Sequence, residues 1–449
     1  MHPDNIPLEQ IEYRLFLVRS GSHTISAARE DGAMRLPRIT ILRWTRPAER
    51  LQQVIESAWR LHVIILDVIF QQDGLGPSAV VEILSPESLD GWAEVGLNEI
   101  AEVEMTRGER ETVKSILAGD KSAHCPFSRL GWIEEAMEWM RAEAGRSAAF
   151  TGEIRQYNAS ASFALIRFTK QDGPAWWLKA TGDPNVHEFR VTKMLAELCP
   201  ELLPRRIAGR EDWNAWLMED GGYPLDAWSL PALEQIVLSM ATLQIRTVEW
   251  GNAFLAAGAF DQRTATLRAH LEELFDYLDG AMAKQTSTKV PQIEKRRLRE
   301  MASVLQDACC HMEELEIPDT LIHNDINSGN ILFQGTQCVF IDWCEVGVGN
   351  PFFSFQYLSK LQPGGDDSWT SRLREVYRRS WRELLTESQI ERAFALTPLL
   401  AIFSYLFGRG DWLHSAQRED PCVESHARSL ARHMDRAALA PELMEALCR

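Results

Sequence analysis

The stretch His323-Asn324-Asp325-Ile326-Asn327-Ser328-Gly329-Asn330-Ile331-Leu332, continued by Val339-Phe340-Ile341-Asp342-Trp343, decides how this chain reads. It lays out the parts of a phosphoryl-transfer site in chain order. Asp325 can orient or deprotonate a substrate hydroxyl. Asn330, five positions on, can hold a magnesium ion whose other protein ligand is Asp342, at the end of an apolar strand. Phosphoryl transfer asks little covalent chemistry of a protein. It needs metal ligands, one positioned carboxylate and a cation on the nucleotide phosphates, and magnesium takes a few hard oxygens with phosphate and water completing its shell. Singly, each residue has a plainer reading: His323 as a packed structural histidine, Asn330 as a turn former. The order and spacing of the whole set carry the argument.

The same residues resemble the aminoglycoside phosphotransferase and choline kinase-like superfamily, relatives of the protein kinases. His323-Asn324-Asp325 with Asn330 matches that family's His-Asn-Asp-x4-Asn loop. Ile341-Asp342-Trp343 followed by Gly347-Val348-Gly349-Asn350-Pro351 is also similar to it. Two positions depart: a family aspartate just beyond this stretch is Ser354 here, and the loop histidine is Asn327. Neither is one of the phosphoryl-transfer positions, so the departures bear on the substrate subfamily more than on catalysis.

Upstream, Phe163-Ala164-Leu165-Ile166-Arg167-Phe168 and Trp176-Trp177-Leu178-Lys179-Ala180 flank the turn-forming Gln171-Asp172-Gly173-Pro174 and read as a hairpin. The resemblance puts the lysine that holds the nucleotide's α- and β-phosphates at Lys179, and its helical carboxylate partner at Glu188 in the segment His187-Glu188-Phe189-Arg190-Val191-Thr192-Lys193-Met194-Leu195. Taken alone, Lys179 reads equally as an edge-strand gatekeeper and Glu188 as a solvated helix charge. The preceding loop Tyr157-Asn158-Ala159-Ser160-Ala161-Ser162 contains no glycine. Backbone amides with the hydroxyls of Ser160 and Ser162 would have to meet phosphate there, although such a loop also arises for local reasons. Ala215-Trp216-Leu217-Met218-Glu219-Asp220-Gly221-Gly222 is an apolar strand running into a glycine break. The resemblance makes it the hinge between lobes, with Met218, Glu219 and Asp220 flanking the adenine.

Periodicity predicts helices over residues 231–247, 262–277 and 293–315. The expected fold is therefore α+β: a two-lobed protein-kinase-like fold with a β-rich amino lobe (128–221) and a mostly α carboxy lobe (222–449), preceded by a small α/β domain (1–120). Residues 119–126 read as a linker, and residues 128–144 as a helix whose Trp132, Met137 and Trp139 pack rather than form a ligand cage.

In residues 1–120, Tyr13-Arg14-Leu15-Phe16-Leu17-Val18, Ile39-Thr40-Ile41-Leu42-Arg43-Trp44 and Ala79-Val80-Val81-Glu82-Ile83-Leu84 read as strands, with a helix over 47–61. The order loosely resembles a Nudix fold. The helix offers only Glu49 and Glu56, no cluster able to bind several metals, so the domain reads as a non-catalytic substrate-side or structural module.

Composition bounds the rest. The 449 residues carry a net charge of −17, which argues against nucleic acid as a partner because phosphate neutralisation needs clustered Lys and Arg. No run reads as a membrane span, and the start Met1-His2-Pro3-Asp4 lacks the basic-then-apolar form of a signal peptide, so a cytoplasmic enzyme is expected. The eight cysteines show no ligand spacing and read as reduced, buried small residues.

Two functions follow. The first is a small-molecule O-phosphotransferase using ATP and magnesium, with Asp325 on the acceptor hydroxyl, Asn330 and Asp342 on the metal and Lys179 on the nucleotide. The alternative is a non-catalytic nucleotide-binding scaffold that docks a partner. Retention of all four positions favours the enzyme. The acceptor is expected to meet residues 352–366 and 401–418, where Asp411 and Trp412 could contact a cation through charge and a π face. The sequence names neither the acceptor nor a protein partner for residues 1–120.

Overall fold

The computed structural model describes residues 9–30, 32–43, 45–70, 75–86, 91–119, 126–144, 150–160, 162–225, 227–361, 367–408 and 416–448. The chain forms two compact units. One comprises Met1–Phe189 with Arg205–Asp220, the other Arg190–Pro204 with Gly221–Arg449.

The first unit opens with a seven-stranded sheet centred on Gln10–Val18, which runs antiparallel to Ile25–Glu30 and Arg38–Leu42 and parallel to Ser78–Ile83. The three expected strands and the expected helix, here Pro47–Trp59, are present. Val63–Ile69 is a further strand, buried along its first half. Its continuous apolar run carries no period-2 alternation to betray it.

A five-stranded antiparallel sheet follows in the order Arg206–Arg210, Ala215–Glu219, Trp176–Thr181, Phe163–Lys170 and Phe150–Ala159. Its strands alternate as β-geometry demands. Ala164, Ile166, Phe168, Leu178 and Leu217 point into one apolar core with Phe16, Val18 and Val80 of the first sheet and Val113 of the helix Arg107–Ala118. Trp132, Ile133, Ala136 and Met140 of the helix Trp132–Ala144 join the same core, so this helix packs as its apolar stripe predicts. Two glutamines stitch the sheets together. The Gln156 side chain accepts from Ile65 N–H and donates to Ile65 C=O, both at 2.7 Å, while Gln52 Oε1 accepts from Gln156 N–H at 2.9 Å. A buried side-chain amide thus replaces a strand neighbour, satisfying backbone groups that water cannot reach.

The second unit is mostly helical. The helices Leu230–Thr247 and Lys295–Glu314 fall where periodicity places them. The helix expected over 262–277 does not form as one element. Phe260–Gln262 is a short strand parallel to Val346–Gly349, and two helices, Thr264–Ala269 and Leu271–Ala283, follow it. Parallel pairing with a segment over 80 positions away leaves no trace in local periodicity. Thr320–His323 completes this three-stranded sheet, and Ile331–Gln334 pairs with Gln337–Phe340 in a separate ribbon.

One helix region, Glu387–Phe407, has the length and hydropathy of a membrane span, and 67% of that window is buried within the chain itself. Ile390, Leu396, Leu400 and Phe403 lie in the unit's main core. The expectation for cysteines is corrected in part. All seven described cysteines are free, but Cys422 and Cys448 are exposed and Cys310 and Cys344 half-buried. Burial pushes the Cys309 and Cys338 thiols up to about 12.

Candidate active site

In the first unit, the aromatic-rich strand Trp176–Thr181 sets Lys179 in register between Leu165 and Trp216. Its ammonium lies 2.6 Å from Glu188 Oε1, in the first turn of the helix His187–Leu198, and 5.9 Å from the ring centroids of Phe163 and Trp216. Lys179 is 8% and Glu188 1% exposed. At that burial the close contact between the two charges offsets part of the cost of taking each out of water.

Trp177 lies two residues before Lys179 on the same strand and therefore shares its face of the sheet. Its ring stands 4.9 Å from Tyr157, and its Nε1–H donates to Asp220 Oδ2 at 3.0 Å. In the sequence, period-2 spacing from Lys179 is the signal for Trp177, and nothing local marks Tyr157 as its neighbour. Met218 pairs with Trp177 across the strands. Glu219 holds Arg205 at 2.7 Å on the surface, and that guanidinium keeps its carboxyl below the usual range. The Ser160 hydroxyl closes its own turn, accepting from Ser162 N–H and Phe163 N–H, both at 3.2 Å. This is the local use of a Ser/Asn loop.

In the second unit, the Asp325 carboxylate is clamped from both sides. Asn327 Nδ2 donates to Oδ1 at 3.0 Å and Asn330 Nδ2 to Oδ2 at 2.8 Å, and both amides also reach the Asp325 carbonyl, at 3.2 and 2.9 Å. Asn327 Oδ1 accepts from Gly329 N–H at 2.8 Å, which closes the loop. The residue standing where the family has histidine therefore shapes the turn. Because Asn330 spends its donor end on Asp325, Oδ1 is the end it offers to a hard cation.

Asp342 lies two residues beyond the strand Gln337–Phe340 rather than at its end, with φ of 64°. A non-glycine residue in that region is costly unless its surroundings enforce it, and such residues gather at functional sites. Ile341 N–H donates to Asn330 C=O at 3.0 Å, and His323 Nε2 contacts Ile341 C=O at 3.0 Å while its ring stacks 4.5 Å from Trp343. His323 N–H donates to Ser354 Oγ at 3.1 Å, so the serine that replaces the family aspartate anchors the start of the loop. His323 is thus a packed residue that joins the Asp325 loop to the turn bearing Asp342.

Among the described residues no group of three or more His, Cys, Asp or Glu could hold a metal alone. Asn330 with Asp342 is instead a sparse hard-oxygen pair, a donor set that fits magnesium carried in with nucleotide phosphates and not a closed structural zinc site. Past the strand Ala215–Glu219, Gly222 adopts φ of 100°, and a Cβ there would meet Phe333 O at 2.1 Å. Only glycine lets Tyr223 pair with Phe333, at 3.1 and 2.9 Å, on the ribbon that follows Asn330. Asp411 and Trp412 lie outside the described residues.

Residues 241–386 match the model of the phosphotransferase enzyme family. The resemblance carried by the Asp325 loop and the Asp342 turn is borne out over that segment. Among solved structures, a macrolide 2′-phosphotransferase from Brachybacterium faecium is similar at 17% identity and a TM-score of 0.41, covering 69% of this chain and 98% of its own. A choline kinase from Cryptosporidium parvum is similar at 14% identity and a TM-score of 0.45, covering 71% and 100%. A protein described as a putative fructosamine-3-kinase, from Thermobifida fusca, gives 18% and 0.40, covering 63% and 94%. Likeness at this level says nothing about the acceptor. No curated protein matches the chain.

Proposed function

We propose that the chain is a small-molecule O-phosphotransferase that moves the γ-phosphoryl group of ATP onto an alcohol hydroxyl. The observation that carries this reading is the Asp325 carboxylate, held by Asn327 and Asn330 at hydrogen-bond distance. A scaffold has no physical use for a carboxylate fixed this way beside a metal-competent amide. The family match over residues 241–386 supports it.

In this reading the acceptor oxygen attacks the γ-phosphorus, the bond from γ-phosphorus to the β,γ-bridging oxygen breaks, ADP leaves, and the hydroxyl proton passes to Asp325. Asn330 and Asp342 would hold magnesium, which supplies charge neutralisation on the phosphates. Lys179, oriented by Glu188, holds the α- and β-phosphates. Trp177 offers the base a π face, beside the backbone of Met218, Glu219 and Asp220. Residues 1–119 take no part in the chemistry. They brace the sheet that carries Lys179, through the shared core and the Gln52–Gln156 bridges. The enzyme works in the cytoplasm on a small hydroxylated acceptor.

The test is ADP release with magnesium and ATP across amino alcohols, aminoglycosides, sugars and hydroxylated natural products. Acceptor-dependent release that vanishes in Asp325→Ala is expected. Nucleotide binding with no release for any acceptor, unchanged by that substitution, would favour the nucleotide-binding scaffold.

A further inference from the structure

We infer that Gln262 is a positioning residue for phosphoryl transfer, holding the Asp325 loop and the Asp342 turn in one arrangement through Asn324. The inference rests on the phosphotransferase reading above. Gln262 ends the strand Phe260–Gln262 and is fully buried. Its Nε2 donates to Ser404 C=O at 2.7 Å, and its Oε1 accepts from Asn324 Nδ2 at 2.7 Å. Asn324 Nδ2 donates also to Glu345 C=O at 2.7 Å. Asn324 is 4% exposed and immediately precedes Asp325, while Glu345 follows Asp342 by three residues. A relay of two buried amides therefore runs from the helix Glu387–Gly408, through the strand end, to both catalytic segments.

The chemistry of the relay selects glutamine. Ser404 C=O takes a donor and Asn324 Nδ2 an acceptor, so a residue that bonds both must present both ends. Glutamate would face the Ser404 carbonyl with a second acceptor, and methionine would delete both hydrogen bonds. The opposing strand has been cleared to admit this side chain. A Cβ on Gly347 would stand 1.9 Å from Gln262 Oε1, and one on Gly349 would stand 2.5 Å from its backbone oxygen. Glycine at 347 thus reflects the bulk of Gln262, and displacing that side chain should move the loop without touching Asp325, Asn330 or Asp342.

The experiment uses the full chain with two variants that reach one end by different routes: Gln262→Met deletes the polar ends, and Gly347→Ala displaces them intact. Hydrogen exchange over residues 321–349, magnesium-ATP-dependent thermal stabilisation, and steady-state ADP release are measured. Each variant should speed exchange selectively over 324–330 and 343–349. Since misplacing a reacting group by about 1 Å costs on the order of 10²-fold, kcat should fall at least about tenfold with the KM for ATP changed less than about threefold. The double variant should be no worse than the more damaged single one. Unaltered loop exchange, additive losses, or a kcat loss that merely follows uniform loss of stability would overturn the role of Gln262. Absence of ADP release from the unsubstituted chain with every acceptor would instead remove the phosphotransferase reading, and the positioning role with it.

Discussion

Asn330 Nδ2 donates to Asp325 Oδ2 at 2.8 Å, so one amide fixes the Asp325 carboxylate and leaves its own oxygen as the end that a hard cation would take in the proposed reading. The two roles assigned to the Asp-x4-Asn spacing are thereby mechanically coupled, yet they separate by substitution.

Asp325→Ala should abolish acceptor phosphorylation while magnesium-ATP still raises the melting temperature, because Lys179 and both metal ligands remain. Turnover should fall by about 10³-fold or more, the range in which loss of a positioned base and its orientation places it. Asp342→Asn should behave differently. It weakens the metal site itself, so nucleotide-dependent stabilisation and turnover should drop together. Unchanged magnesium dependence in Asp342→Asn would defeat the metal assignment.

Glu188→Ala should destabilise the first unit by roughly 3–5 kcal/mol, the range for breaking a buried ion pair, since it removes the carboxylate 2.6 Å from the Lys179 ammonium. Replacing both, as Lys179→Met with Glu188→Leu, should recover most of that loss in urea unfolding while nucleotide-dependent stabilisation stays absent. A double variant as unstable as Glu188→Ala would show that the pair's packing, not its charge, carries the stability.

Gln156→Ala removes both partners of the Ile65 peptide groups, which lie deep between two sheets. The expected cost is about 2–4 kcal/mol, from two buried backbone groups at about 1–2 kcal/mol each. Chemical denaturation of the full chain checks it, and a loss under about 0.5 kcal/mol, the surface-substitution range, would mean water reaches the site.

Glu82 is 1% exposed and accepts Gly131 N–H at 2.8 Å, and burial pushes its carboxyl up to about 7 from an ordinary 4.5. A carboxyl raised in the folded state is protonated there while the unfolded chain has already ionised. Stability therefore falls as pH rises from 4.5 to about 7 and levels off above. Asp319, raised by burial to about 6, adds a loss of the same sign over a lower window. Glu82→Gln keeps an acceptor for Gly131 and carries no charge. It should be more stable than the parent at pH 8 by up to about 3 kcal/mol and nearly equal to it at about pH 4, as thermal melts at the two pH values would show.

The sequence by itself determined the chemistry-bearing loop, the strand that places Lys179, and the helices over residues 231–247 and 293–315. Each is written in local order: a five-residue Asp-to-Asn spacing, two apolar β-rich runs around the turn-forming Gln171-Asp172-Gly173-Pro174, and a 3.6-residue apolar stripe in the helices. Only the tertiary structure decided what Gln262 and Gln156 do. Gln262 ends a strand instead of opening a helix because its backbone pairs with Gly349, and its side-chain partners lie 62 and 142 positions away. Gln156 bridges to Ile65, 91 positions away. Trp177 was legible as a strand residue, and its pairing with Tyr157 and Asp220 came only with the folded sheet. A buried amide satisfies whichever backbone group folding brings to it, and that choice depends on long-range geometry, which a chain's local periodicity does not record.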